Sequence, residues 1–198
     1  MPRINVKTKI LDAAERIVGT RGAGGLTLDA VAAEAGLSKG GLTYHFPSKE
    51  MLVTAVVQRL VDGFEARMAA ARAGDVEPGA WTRGLLAACH PDAEERAATD
   101  QVCAALLASV AGDPQLLEPM RARQPDWKRA LAADGIDPQV ALIVRLALDG
   151  LWFNALLGIP LLDDEEQRAL IDRLRAMTRS QTAAEPNATN ERSATIGR

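Results

Sequence analysis

Four helical patterns start or stop between residues 19 and 49, and the punctuation between them constrains the fold more than any other part of the chain. Ile10, Leu11, Ala14, Ile17 and Val18 recur at i, i+1, i+4, i+7 and i+8, which is one face of a helix. Gly19-Thr20-Arg21-Gly22 and the following Ala-Gly-Gly break it. Thr27 then suits an N-cap, Asp29 favours the helix dipole, and Leu28, Val31, Ala32 and Ala35 form the apolar stripe of a second helix. Gly36 stops that helix, because the position after a helix end takes positive φ and glycine does so without steric cost. Ser38 caps a third, very short helix that runs to about His45, since Pro47 cannot continue it and biases Phe46 away from the α region. Ser48 caps a fourth, carrying Leu52, Ala55, Val56, Leu60 and Phe64 toward Gly74.

Two short helices joined through Gly-Leu-Ser, with Leu37 able to pack between them, make a helix-turn-helix pattern. Such a unit projects the N-terminal turn of its second helix into a major groove. Gly40 and Gly41 are poor helix formers, each about 1 kcal/mol worse than Ala, so their presence fits a backbone that must approach something closely. Lys39 and Thr43 are the candidates for base edges, with the Thr43 methyl suited to a thymine methyl. Tyr44, His45 and Lys49 suit phosphate oxygens. The hydroxyls and free N–H groups at the helix starts, Thr27 and Ser38, belong to the same candidate set. Phe46 reads as core.

Composition agrees with an all-α fold: aromatics are 4%, and Ala and Leu are plentiful while β-branched runs are scarce. The net charge of −3 argues against general coating of nucleic acid, but the charge is uneven. Residues 1–49 hold seven Lys or Arg against four acids, whereas the rest holds sixteen against twenty-two. A basic head on an acidic body suits a chain that offers only its N-terminus to an anion.

Residues 5–57 closely resemble the DNA-binding domain of the TetR family of bacterial transcriptional regulators. The resemblance is carried in order by ILDAAERIVGTRGAGGLTLDAVAAEAGLSKGGLTYHFPSKEMLVTAVV, in particular G-x-x-x-L-T-L-x-x-V-A-x-x-A-G-L-S and Y-H-F-x-S-K-E-x-L. It implies an all-helical homodimer that represses transcription by binding a double-stranded DNA operator and leaves it when a small-molecule inducer binds. Gly41 departs from the pattern, since many relatives place a larger side chain there. The expected division is a helix-turn-helix domain over 1–50, a larger helical ligand-binding and dimerisation domain over 51–178, and a disordered polar tail over 179–198.

Further helices are expected at 79–89, 93–110, 114–133, 138–157 and 164–178, with Asp113-Pro114 and Asp137-Pro138 marking two starts. Residues 138–162 are almost apolar all round. A membrane span is set aside because Arg145, Asp149 and Asn154 interrupt the run, and a helix buried on several sides is expected instead. Arg145 and Asp149, four apart, can pair. Leu170, Ile171, Leu174 and Met177 stripe the last helix and, with Leu151, are candidates for a four-helix dimer seam, the alternative being an internal core.

Candidates for an inducer pocket are the large adaptable side chains Trp81, Met120, Trp127, Trp152 and Phe153, with Cys103 beside them and Asp149 and Asn154 as polar anchors. An unpaired Asp149 would favour a cationic ligand. For each aromatic, plain core is the stronger reading. Cys89 and Cys103 have no C-x-x-C spacing, so a reduced thiol in a bacterial cytoplasm is expected and no metal site. His90 reads as a loop residue. No nucleophile elbow, phosphate loop or paired metal ligands occur, so neither catalysis nor a cofactor is expected. The rival readings are a sensor dimer that acts as an activator, or one that reads DNA weakly.

Overall fold

The computed structural model describes residues 5–89 and 93–179; His90 and residues 180–198 of the expected tail lie outside them. Among the described residues there are nine α-helices and no strand, the all-α class expected. The helices are α1 (Val6–Arg21), α2 (Leu28–Glu34), α3 (Lys39–His45), α4 (Lys49–Ala71), α5 (Ala80–Ala88), α6 (Ala93–Gly112), α7 (Glu118–Ala132), α8 (Pro138–Leu156) and α9 (Asp164–Met177). The segment expected as one helix over 114–133 is split. Pro114–Leu117 form a 3-10 turn before α7, whose second residue is Pro119. A proline there lacks the N–H that a continuous helix would need.

The expected caps are made. Thr27 Oγ1 accepts from the Ala30 amide at 3.1 Å, Ser38 Oγ from Gly41 at 3.1 Å, and Ser48 Oγ from Met51 at 3.2 Å. Each satisfies one amide that the first turn leaves without an intrahelical partner, an effect of about 1 kcal/mol. Gly36 has φ +63°, with its own amide donating to Ala33 O and the Leu37 amide to Ala32 O. This pair of bonds ends α2 and turns the chain toward α3.

Two cores lie along α4. The first gathers Ile10, Ala14, Ile17, Val31, Leu42, Phe46, Leu52, Val53 and Val56, closed by Val102, Leu106 and Leu116. The second gathers Val61, Met68, Trp81, Leu85, Trp127, Val144, Leu148, Ile171 and Leu174. With 23 residues, α4 is about 34 Å long and serves both. Arg59 on α4 ties α1 down through Asp12 at 2.6 Å and Glu15 at 3.4 Å.

One packing expectation, for α8, is overturned, and the α9 stripe divides. α8 is not buried on several sides. Val140, Ala141, Val144, Leu148 and Leu156 are buried and Ala147 and Leu151 are partly so, while Leu142, Ile143, Leu146 and Phe153, with Leu157 just past the helix, are about half exposed. By length and composition α8 could cross a membrane, yet 22% of its apolar window is buried, so most of that surface faces outward. The α9 stripe, in turn, is turned inward at its centre and only partly covered at its ends. Ile171 and Leu174 are buried in the second core, and Leu170, Met177 and the α8 residue Leu151 pack against it. Ile171 and Leu174 are enclosed by their own subunit and leave little surface for a partner, whereas Leu151, Leu170 and Met177 are only partly buried.

Candidate nucleic-acid interface

The third helix is held by one residue and offers most of the others. Leu42 is fully buried and Phe46, just past the helix, is nearly so. Lys39, Gly40 and Tyr44 are exposed, and Gly41, Thr43 and His45 are half-buried. Tyr44 is 84% exposed and meets only the edge of the His45 ring, with centroids 5.1 Å apart. The Tyr44 ring therefore gains little from packing within the subunit and is open to a contact from outside it.

The backbone glycines divide. A Cβ on Gly40 would point into open space, whereas one on Gly41 would lie 3.2 Å from Ser38 Oγ, the atom that caps the helix. Thr43 Oγ1 donates to Lys39 O at 3.0 Å and contacts Gly40 O at 3.3 Å, so its hydroxyl is bound to its own helix. Lys49 Nζ lies 3.5 Å from Ala23 O, linking the start of α4 to the turn before α2. Thr27 and Ser38 are both exposed at the starts of α2 and α3, where uncompensated amides attract phosphate. All nine expected contact residues therefore lie on α3 or on the helix starts beside it, and the first core fixes that arrangement. The sequence reading missed Asp29: both its oxygens approach Lys39 Nζ, at 3.0 and 3.1 Å.

Residues 10–56 match the family described as bacterial regulatory proteins, tetR family, and residues 79–179 match the tetracyclin repressor-like C-terminal domain. The chain belongs to the TetR family. Its helix-turn-helix makes it a DNA-binding transcriptional regulator. Among solved structures, the multidrug binding protein EbrR complexed with ethidium is 31% identical, with 86% of this chain and 98% of that one covered and a TM-score of 0.63. A TetR-family transcriptional regulator from a Rhodococcus species, described as putative, is 26% identical over 87% and 98% with a TM-score of 0.67. A TetR-family member from Streptomyces coelicolor A3 is 28% identical over 86% and 98%, at 0.62.

The expected pocket residues of this TetR-family regulator divide between the second core and the outer side of α8. Trp81 and Trp127 are buried in the second core and Met120 packs against it. Trp152 and Phe153 instead lie on the outer side of α8, where Trp152 Nε1 donates to Asp100 at 3.2 Å. Asp149 accepts from Arg145 Nε at 2.8 Å, which removes the reason to expect a cation at that carboxylate. Asn154 Nδ2 donates to Gly150 O within its own helix. Two open clefts, of about 550 and 600 Å³, stand elsewhere: one beside Glu15, Arg59 and Arg67, the other beside Asp75, Arg83 and Thr178. None of the expected pocket residues lines either one.

A polar layer crosses the second core instead. Trp127 Nε1 donates to Glu65 at 2.9 Å, the Arg145 guanidinium sits 5.3 Å from the Trp127 ring centroid, and Phe64 meets that ring edge-on. Burial pushes the Cys89 and Cys103 thiols up to about 11, the main cause in each case being desolvation of the thiolate. The thiolate is the reactive form, so neither cysteine is primed for redox chemistry.

Proposed function

We propose that this regulator is a ligand-responsive repressor that binds a palindromic operator as a homodimer and is released by a small-molecule inducer. The observation that carries the DNA half is the outward face of α3, where exposed Lys39, Gly40 and Tyr44 stand on a helix anchored by Leu42. The outward apolar face of α8 supports the homodimer. A row of half-exposed Leu142, Ile143, Leu146, Phe153 and Leu157 calls for cover, and two copies related by a two-fold axis cover each other.

In the bound state the two α3 helices stand about 34–36 Å apart, one turn of duplex, so each enters a successive major groove. α4 is the lever, because one unbroken helix is packed into the first core as far as Val57 and into the second from Val61 onward. The inducer enters by repacking the Glu65–Trp127–Arg145 layer, where a cation already lies against an aromatic ring. Relatives crystallised with ethidium or malachite green support an organic inducer. A ligand that favours one spacing of the heads over the other shifts the population toward it. The division into a DNA-reading unit over 1–50 and a ligand and dimer unit over 51–178 belongs to the same proposal.

The test is selection of genomic fragments with the purified full chain at a fixed salt concentration, followed by footprinting. Enrichment of one palindrome, with protection lost on adding an organic inducer, is expected. Absence of any enriched palindrome would remove the repressor reading.

A further inference from the structure

The recognition helix carries its lysine already paired. Lys39 opens α3, Asp29 lies in the first turn of α2, and the ammonium bridges both carboxylate oxygens at 3.0 and 3.1 Å. The pair is two-thirds exposed on each side, at 67% and 69%. Neither side chain is needed by the core, and Thr27 already caps α2. A pair this exposed adds little to stability, so its consequence falls on what Lys39 meets next.

Building on the DNA-reading role of α3, we propose that Asp29 is a positioning residue that sets specificity by holding Lys39 away from non-specific phosphate. A phosphate oxygen offers Lys39 one ionic contact. Taking it gives up the Asp29 pair and draws the Asp29 carboxylate toward the anionic backbone, which offsets part of the gain. A guanine edge presents two acceptors, O6 and N7, without a net negative charge to repel the Asp29 carboxylate, so the exchange is favoured there. Lys39 then contributes on the operator and little elsewhere. Phosphate contacts dominate non-specific affinity, so removing the restraint raises that background first.

The experiment compares wild type, Asp29→Asn, Lys39→Met and the double variant as full chains. Each is titrated by fluorescence anisotropy against the selected operator and a shuffled duplex of equal length, over a salt series. Asp29→Asn is expected to tighten the shuffled duplex about three- to tenfold at low salt and to steepen the log–log salt slope by about 0.9 per subunit, one regained phosphate contact each. Operator affinity moves by much less, so discrimination falls. In the Lys39→Met background the gain from Asp29→Asn largely disappears. Three outcomes overturn the proposal: an unmoved shuffled-duplex affinity and slope; a loss confined to the operator, which makes Asp29 itself a base reader; or the same gain without Lys39, which makes Asp29 a simple repeller. The shuffled-duplex arm needs no operator. Failure to find a palindrome therefore sinks the repressor reading without deciding this one, whereas a wild-type chain that binds neither duplex sinks both.

Discussion

Gly40→Ala separates stability from recognition. In the free subunit a Cβ at Gly40 meets nothing within 4 Å, and the residue is exposed on a seven-residue helix. Alanine then brings only its helix propensity, about 0.8–1 kcal/mol over glycine. At this chain length that raises the melting temperature by about 2–4 °C. On DNA the same methyl stands between the α3 backbone and the groove. If it costs one hydrogen bond of about 1 kcal/mol at each half-site, the dimer loses about 2 kcal/mol. That is a roughly thirtyfold weaker Kd, at 1.4 kcal/mol per decade. Thermal melts at fixed protein concentration and anisotropy titrations on the operator read the two effects. A variant that melts higher and binds worse is expected. Wild-type affinity in Gly40→Ala would refute the close approach of this backbone to DNA, and a lower melting point would refute the open space around Gly40. Gly41→Ala is the contrast: its Cβ lies 3.2 Å from the capping Ser38 Oγ, so its gain in stability is smaller.

Four further outcomes are expected. Leu146→Glu puts a charge on the outward face of α8, where Leu146 is 61% exposed, and should shift light-scattering mass from dimer to monomer while leaving the helical circular dichroism intact. Asp134→Ala removes the acceptor for the Trp81 and Thr82 amides and the buried Thr82 hydroxyl, at 2.8, 2.9 and 2.6 Å, and should cost about 2–4 kcal/mol in urea unfolding, since several bonds to one charge are lost together. Glu15 has a carboxyl pushed above the ordinary glutamate value, chiefly by burial, so the folded chain binds its proton more tightly than the unfolded one and stability falls as pH rises through that range; Glu15→Gln should flatten that fall in melts taken from pH 4.5 upward. Lys49→Ala should weaken operator and shuffled duplex alike and lower the salt slope, which an unchanged slope would contradict.

Where the sequence was a sufficient guide, the signals were local. The caps Thr27, Ser38 and Ser48 each bond an amide three residues on, and Gly36 must adopt a left-handed φ that little else tolerates, so the order and ends of α1 to α4 are written within a few residues of themselves. The candidate DNA face follows from them, because the spacing that buries Leu42 turns Lys39, Gly40 and Tyr44 outward. What the tertiary structure alone decided is which of two apolar surfaces is spent inside the subunit. Periodicity marks a stripe on α9 and a nearly continuous apolar run on α8, but it carries no label for the neighbour. Packing against Trp81, Leu85 and Trp127 encloses Ile171 and Leu174 and leaves Leu142, Leu146 and Phe153 outside. The same holds for partners far apart in the chain. Asp134 caps α5 from 53 residues away, and Asp29 meets Lys39 across a turn. An isolated acid or lysine looks the same in the sequence whether it faces water or a partner, and only the fold brings the two together.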